Sequence, residues 1–435
     1  MKKDKVLILT ALPFKINGNQ SLPRFIKMFL DKDFTTNLYT SAISKNILND
    51  PNFEIVSIPS LHEWLLNIKK TKNIPKKLNQ TTNMKQNKFF KIKSDDVLPP
   101  FGALNIKTAV SKWFLFIIYI IDNLLLFLYL LILKNKFIKS FDLIIGYECG
   151  YTHAAKLLSK IFHKKYISKY QGTVLKSVSH NLTTARIFFP YNYFGINKSD
   201  LCIMVDDGTD GEFYARARGC KNIYFQPHGV ATEVYDNIDK KLFDFTDYEN
   251  KFIIFNNASG SNWKRVDRIV RSLQYLPSEI KNKIIILSTY NGPDKQELNW
   301  YTQQIKVDSC VEFLENIDYI TSNFLIRNSN LLIMTNDMSN LGNPVLEAIY
   351  FGIPIISIDD GSLNKYIANG KNAILINLDK NFDINMADAI TKCVSDTKFY
   401  NSLKENSKNN NSVFSLSDQQ KKEYARIVKV INSHD

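Results

Sequence analysis

A chain of 435 residues is too long for one ordinary core, so two domains of roughly 200 residues each are expected. Its 45% hydrophobic content excludes wholesale disorder, and five scattered cysteines without a CxxC pair exclude a disulfide framework or a cysteine zinc site. The net charge of +14 would suit nucleic acid, but fourteen of the lysines fall between Glu63 and Lys139, with no arginine and four acids, around an intensely apolar stretch; that pattern suits an anionic membrane surface and no nucleic acid.

The opening "KVLILTAL" reads as a buried strand rather than a signal peptide, because its apolar core is short and no small-x-small site follows. "QSLPRFIKMFL" has helical apolar spacing and "NFEIVSIP" is a second strand. Residues 72–99 have few apolar positions in register and are expected to form a mobile insert. Next comes "WFLFIIYIIDNLLLFLYLLIL", Trp113 to Leu133, whose one charge is Asp122. Three readings compete for it. A spanning helix is long enough, but Asp122-Asn123 at its centre is costly in lipid. A buried core helix is the plain alternative. A helix or hairpin dipping into one leaflet, with lysines on the headgroups, is favoured over the core helix, and either over a span.

After this stretch, strands and helices alternate through "FDLIIGY", "THAAKLLSKIF", "KYISKYQG" and "LCIMVDD". A second alternation opens at "KFIIFNNA" and continues through "WKRVDRIVRSLQYL", "KIIILSTY", "VEFLEN", "SNLLIMTN", "SNLGNPVLEAIYFGIPIIS" and "AILIN". Short apolar runs alternating with helices predict parallel sheets covered on both faces, an α/β architecture of two doubly wound Rossmann-like domains. Their ligands are expected at the carboxyl ends of the strands. Residues 1–228 would form the first domain, carrying the basic and apolar segment at about 62–139; residues 229–414 would form the second. A hinge is placed near Tyr224 to Tyr235, and residues 415–435 form an amphipathic helix expected to pack back toward the first domain.

Four clusters could carry chemistry. In "SNLGNPVLEAIYFGIPIIS", Asn343 can cap a helix and Pro344 suits its first position. Free amides around Asn340, Leu341, Gly342 and Asn343 would then favour a phosphate. Glu347, placed in the first turn, is either an ordinary favourable charge near the helix dipole or the acceptor for a sugar diol. In "NNASGSNWKRVDRIV", Lys264 and Arg265 stand at a helix entrance where cations can meet a diphosphate, although two solvated cations on a surface helix are the commoner outcome. Trp263 reads as packing rather than stacking. Gly18 lies in the loop after the first strand, where a backbone can approach a ligand, but the spaced glycines of a dinucleotide fingerprint are missing. Asp206, Asp207 and Asp210 in "VDDGTDGEF" fit no full calcium loop, and turn chemistry explains them equally well. No GxxxxGK[ST], HExxH or GxSxG motif is present, and the histidines have no metal-ligand spacing.

The order of these motifs resembles the GT-B glycosyltransferases, specifically the retaining family 4 (group 1) enzymes. The resemblance is strongest from Asn256 to Asn377, in "WKRVDRIV", "IIILSTYNG", "VEFLENI", "NSNLLIMTN" and "SNLGNPVLEAIYFGIPIIS"; "QPHGV" is similar to the family's "PNGV". It implies two domains facing across a cleft, the first holding the acceptor and the second a nucleotide-sugar donor, UDP- or GDP-linked, with no further cofactor and no metal. Glu347 would bind the donor ribose, and Asn340, Leu341 and Gly342 the sugar and phosphates. Lys264 would hold the diphosphate. Three positions depart from the family. Ser339 replaces its first glutamate, with Asp337 a candidate substitute; Ser259 stands near its companion arginine, leaving Arg265 to share that task; and Gln171-Gly172 replaces its His-Gly.

The resemblance implies a retaining, hexosyltransferase-type enzyme, with Lys264 and Gln171 as its expected catalytic residues. Without an evident side-chain nucleophile, the departing diphosphate would take the acceptor's proton in a front-face displacement. The acceptor is expected to be a lipid-linked glycan or oligosaccharide in bacterial-type cell-surface polysaccharide synthesis, such as lipopolysaccharide, with the protein cytoplasmic and peripheral on the inner face of the cell membrane. The alternatives are a non-catalytic GT-B-like membrane or glycan-binding protein, motivated by the three departures, and an enzyme acting on a soluble acceptor.

Overall fold

The computed structural model describes residues 4–14, 21–43, 48–61, 64–65, 93–96, 104–231, 242–258 and 260–433. Gly18, Ser259, the hinge residues 232–235 and all of the 72–99 insert except 93–96 lie outside these. The chain forms two compact units: Met1–Thr81, Ala103–Pro227 and Gln420–Asp435 make one, Thr82–Gly102 and His228–Gln419 the other.

Unit 1 is built on a parallel sheet of order β3-β2-β1-β4-β5-β6-β7, from β1 (Lys5–Leu9), β2 (Thr35–Thr40), β3 (Phe53–Ser57), β4 (Leu143–Tyr147), β5 (Lys165–Tyr170), β6 (Leu201–Val205) and β7 (Ile223–Gln226). Its central strands are buried along their whole length, as in LIIGY and LCIMV, because helices cover both faces and alternation would expose nothing. Helix α1 (Ser21–Leu30) shows the cause: Leu22, Phe25, Ile26 and Phe29 recur at helical spacing and pack with Val6 and Ile8 of β1. The C-terminal helix, residues 416–431, has Ser415 accepting from the Asp418 N–H at its start, and sends Ile427 and Val430 into that same core.

The apolar stretch is one continuous helix, α2 (Ile106–Leu133), not a hairpin. It packs on α3 (Thr152–Ile161) and the short helices α4 (Leu182–Phe188) and α5 (Pro190–Gly195). Asp122 and Asn123, costly for lipid, face inward. Ser60 Oγ and the Leu61 N–H donate to Asp122 (2.8 and 3.0 Å), and Asn123 bonds the Gly150 carbonyl and the Ala154 N–H (both 3.0 Å).

Unit 2 has a six-stranded parallel sheet, β10-β9-β8-β11-β12-β13, with β8 (Phe252–Asn256), β9 (Ile284–Ser288), β10 (Val311–Phe313), β11 (Leu331–Met334), β12 (Ile355–Ile358) and β13 (Ala373–Ile376). Strand order reverses between β8 and β11, the switch point at which doubly wound sheets open a ligand crevice. In unit 1 the reversal lies between β1 and β4. Unit 2 departs from the expected domains: Lys93–Asp96, from the basic insert, sits with it, for a reason given by its arginines, and its main stretch runs from His228 to Gln419, past the expected end at 414.

Candidate functional site

At the switch point of unit 2, two loops are laced together. The loop after β8 ends in a single turn, Asn262–Lys264, and Arg265 takes a left-handed φ of 48° before α7 (Val266–Leu273). The loop after β11 runs through Thr335 to Gly342 into α9 (Asn343–Phe351); α8 (Tyr319–Asn328) precedes β11. Thr335 Oγ1 donates to the Arg265 carbonyl (3.0 Å), and the Asp337 N–H donates to the Trp263 carbonyl (2.9 Å).

Within the second loop, Asn340 is fully buried and acts as the tie. Its Oδ1 accepts from the Asn336 N–H (2.9 Å) and its Nδ2 donates to the Asn336 carbonyl and Asp360. This corrects the expectation of free amides. The Asn340 N–H donates to Ser362 Oγ, that of Leu341 to Ser339 Oγ, and that of Gly342 to the Asn340 carbonyl. The cap is Gly342, not Asn343, which is the first helical residue; Pro344 follows it. The Asn343 N–H is the amide in this run without an internal acceptor among the described residues.

Glu347 is the fifth residue of α9, one turn deeper than the sequence suggested, so the helix N-terminus does not account for it. It is 3% exposed, and Tyr319 Oη donates to its Oε1 at 3.0 Å. Tyr319 escaped the sequence reading because nothing distinguishes an aromatic after a capping Asp318 from packing.

The cations divide into two kinds. Arg265 and Arg268 are enclosed, at 1% and 0% exposure. Arg265 chelates Asp267 through Nε and Nη2 (2.9 and 3.1 Å) and donates to the Asp96 and Lys93 carbonyls. Arg268 donates to the Ser94, Asp96 and Thr335 carbonyls and pairs with Asp337 at 2.7 Å. The guanidinium forks thus bind Lys93–Asp96, which explains its place in unit 2. They also overturn two expectations. Arg265 is occupied as a structural tie in place of a donor ligand, and Asp337, with a side chain 0% exposed between two arginines, is no substitute for the missing glutamate at Ser339. Lys264 differs. Its ammonium lies 4.2 Å over the Trp263 ring, giving that indole a stacking role, and burial pulls its pKa down to about 8. No carboxylate pairs with it among the described residues.

In unit 1, Gln171 follows β5 at the carboxyl edge of the sheet. Its Nε2 donates to Tyr147 Oη (2.7 Å), its N–H to Glu148 Oε1 (2.6 Å), and its Oε1 is buried without a partner among the described residues. Burial pushes Glu148 up to about 7, and Asp207 adds to this; Asp207 is itself pushed by burial to about 7. A Cβ on Gly172, at φ 112°, would lie 2.0 Å from Asp207 Oδ2, so only glycine allows that carboxylate to close on the turn. The sequence reading passed over Glu148; its left-handed φ of 59° is visible only in the fold. The three aspartates of "VDDGTDGEF" diverge: Asp206 and Asp207 bond the Gly208 and Thr209 N–H groups, while Asp210 faces His180 at 3.2 Å.

Residues 237–410 match the family of glycosyl transferases group 1. The N-acetyl-alpha-D-glucosaminyl L-malate synthase of Bacillus anthracis is 23% identical over 186 residues, 42% of this chain and 47% of that one, so the match spans about half of each. Among solved structures, Anabaena Alr3699/HepE in complex with UDP and glucose aligns at a TM-score of 0.63 with 14% identity, covering 98% of this chain and all of that one. WaaG, a glycosyltransferase involved in lipopolysaccharide biosynthesis, aligns at 0.59 with 13% identity over 97% and 99%. These likenesses show the fold as GT-B. The group 1 match lies over the laced loops of unit 2, so fold and family resemblance meet at this site.

Proposed function

We propose that this protein transfers a hexosyl group from a UDP- or GDP-linked sugar to a glycan acceptor, with retention of anomeric configuration. One observation carries the reading: at the switch point of unit 2, Glu347 is a buried acid oriented by Tyr319, in the sheet region where Lys264 is a half-buried ammonium without a carboxylate among the described residues. A carboxylate accepts two hydrogen bonds from a ribose diol, and a desolvated ammonium seeks an anion. The Anabaena Alr3699/HepE structure, which holds UDP and glucose, supports the donor class. In the reaction the bond from the anomeric carbon to the diphosphate oxygen breaks while the acceptor oxygen bonds to that carbon. The acceptor's proton passes to the departing diphosphate, whose charge Lys264 stabilises. The Asn343 N–H and the Ser339–Gly342 loop lie at the start of α9, suited to the phosphate and sugar end of the donor. In unit 1, the amide of Gln171 is the group suited to a sugar hydroxyl.

The acceptor in this reading is a lipid-linked glycan of cell-surface polysaccharide synthesis, met at the cytoplasmic face of the cell membrane. The lysine-rich flanks of α2 and the involvement of WaaG in lipopolysaccharide biosynthesis support it. A screen of UDP- and GDP-sugars for binding and for turnover on lipid-linked and free oligosaccharides tests it. Nucleotide binding with turnover, both lost in Glu347→Ala, is expected. Glycan or vesicle binding without nucleotide affinity would mark a non-catalytic protein instead.

A further inference from the structure

We infer that α2 is an in-plane membrane anchor: it lies lengthwise in one leaflet of an anionic bilayer while its opposite face stays fastened to unit 1. The inference rests on the peripheral-membrane part of the proposed function and is independent of the transfer chemistry. α2 has two faces of different character. On the inner face, Leu126 and Leu130 are buried in a core cluster with Leu7, Leu9 and Ile144, and Tyr119 Oη bonds His153 Nδ1 at 2.7 Å. Trp113 packs 6.0 Å from Phe194 of α5. These attachments run from Trp113 to Leu130, about 25 Å of helix at 1.5 Å per residue. Spanning would strip all of them and leave Asp122 and Asn123 in hydrocarbon, so the fold itself excludes a transmembrane orientation.

The outer face is apolar over the same length. Ile106 is 81% exposed, Val110 64%, Phe114 58%, Ile117 55%, Leu125 53% and Ile132 69%. No charged residue is exposed from Val110 to Leu133. The stripe presents on the order of 1,000 Å² of apolar surface, above the few hundred Å² that soluble monomers leave open. Its ends are basic and exposed: Lys107 at one, Lys134, Lys136 and Lys139 at the other. These charges choose the occupant. A second copy laid along the stripe would bring lysines against lysines in either orientation of a twofold pair. An anionic headgroup layer receives all of them, at about 1 kcal/mol each, while the stripe enters the acyl boundary.

The test uses the full chain and preformed vesicles added from outside. Flotation is expected with phosphatidylglycerol-containing vesicles and to weaken in salt or with pure phosphatidylcholine. Ile117→Glu combined with Leu125→Glu should cut the bound fraction at least about tenfold with unchanged far-UV circular dichroism. As a readout that does not depend on that variant folding, Lys134→Glu with Lys136→Glu should lower binding to anionic vesicles alone. Depth is read with Leu124→Trp, which sits mid-helix on the exposed face. Lipids brominated near the carbonyl end should quench its added fluorescence more than lipids brominated near the chain end. No flotation of the wild type, deepest quenching at the chain end, or a dimer in ultracentrifugation that the glutamates split would each overturn the inference. Donor turnover, measured on soluble oligosaccharide in the same samples, separates failure of the anchor from failure of the transferase reading.

Discussion

Replacing Glu347 by glutamine changes charge while keeping shape. Glutamine fits the same buried volume, and its Oε1 can still accept from Tyr319 Oη, the 3.0 Å bond that orients the acid. What is lost, in the proposed reading, is the ionised acceptor for the ribose diol. A hydrogen bond to a charged group contributes about 1.5–3 kcal/mol and a neutral one about 0.5–1.5, so two bonds to the diol lose about 2 kcal/mol. The dissociation constant for UDP or GDP, whichever the screen selects, should therefore rise about 30-fold. Isothermal titration measures this directly. The sharper reading compares each nucleotide with its 2′-deoxy form. The wild type should discriminate against the deoxy nucleotide, because one lone pair of a buried acid loses its partner, and Glu347→Gln should discriminate much less. Stability is a useful control: the glutamine variant should unfold no earlier than wild type, since neutralising a buried carboxylate removes a desolvation cost. Unchanged nucleotide affinity in a folded Glu347→Gln protein would refute the ribose assignment, and equal loss of discrimination in an α9 surface variant would refute its specificity.

Further outcomes follow from the geometry of both units. Lys264, held near 8 by burial, must be charged to bind diphosphate; nucleotide affinity should be level below about pH 8 and fall roughly tenfold per unit above it, and Lys264→Met should abolish that slope. In the free protein the sign reverses, because between about 8 and the ordinary lysine value the unfolded chain binds the extra proton, so unit 2 gains stability as pH rises there, as urea titrations can show. In unit 1, Glu148 and Asp207 are raised to about 7, so the folded state holds more protons than the unfolded state between the usual carboxylate range and about 7; stability should fall across that window, and Glu148→Gln with Asp207→Asn should flatten the profile. Asp337→Ala removes the counter-ion of a guanidinium that is 0% exposed, and should cost about 3–5 kcal/mol in chemical denaturation.

Element types were legible from the sequence because the two periodicities are clean. Fully apolar runs such as LIIGY and IIILS could only be covered strands, and α1 carried its core residues at helical spacing. The site was legible as a set of loops but not as atoms. "SNLGNP" looks like a helix start with free amides, yet Asn340, in a position where its side chain reaches both Asn336 and Asp360, turns the loop's own polar groups inward. No local pattern predicts that, since it depends on which strand ends lie beside β11. Arg265 was misread for a related reason. Adjacent lysine and arginine look equivalent in a string, but the left-handed turn at Arg265 sends one side chain to Asp267 and the other over Trp263.

That divergence bears on how the site keeps an unpaired cation without losing stability. A half-buried ammonium without a carboxylate partner is unfavourable. Here Asp267 and Asp337 are held by Arg265 and Arg268, whose remaining donors are satisfied by the carbonyls of Lys93, Ser94 and Asp96. Both acids are thereby committed to guanidinium groups, and burial is what lowers the Lys264 pKa. Ser339 fits the same logic. A glutamate at that position would add a negative charge to the loop, whereas the serine hydroxyl accepts one N–H from Leu341 and stays neutral. In the proposed reading the sugar end of the site is recognised by neutral groups, and among the described residues Lys264 and the start of α9 supply its positive potential. Ser339→Glu should for that reason weaken binding of the diphosphate as well as alter the sugar accepted, and a variant that changed sugar preference with nucleotide affinity intact would show that the two ends of the site are electrostatically independent.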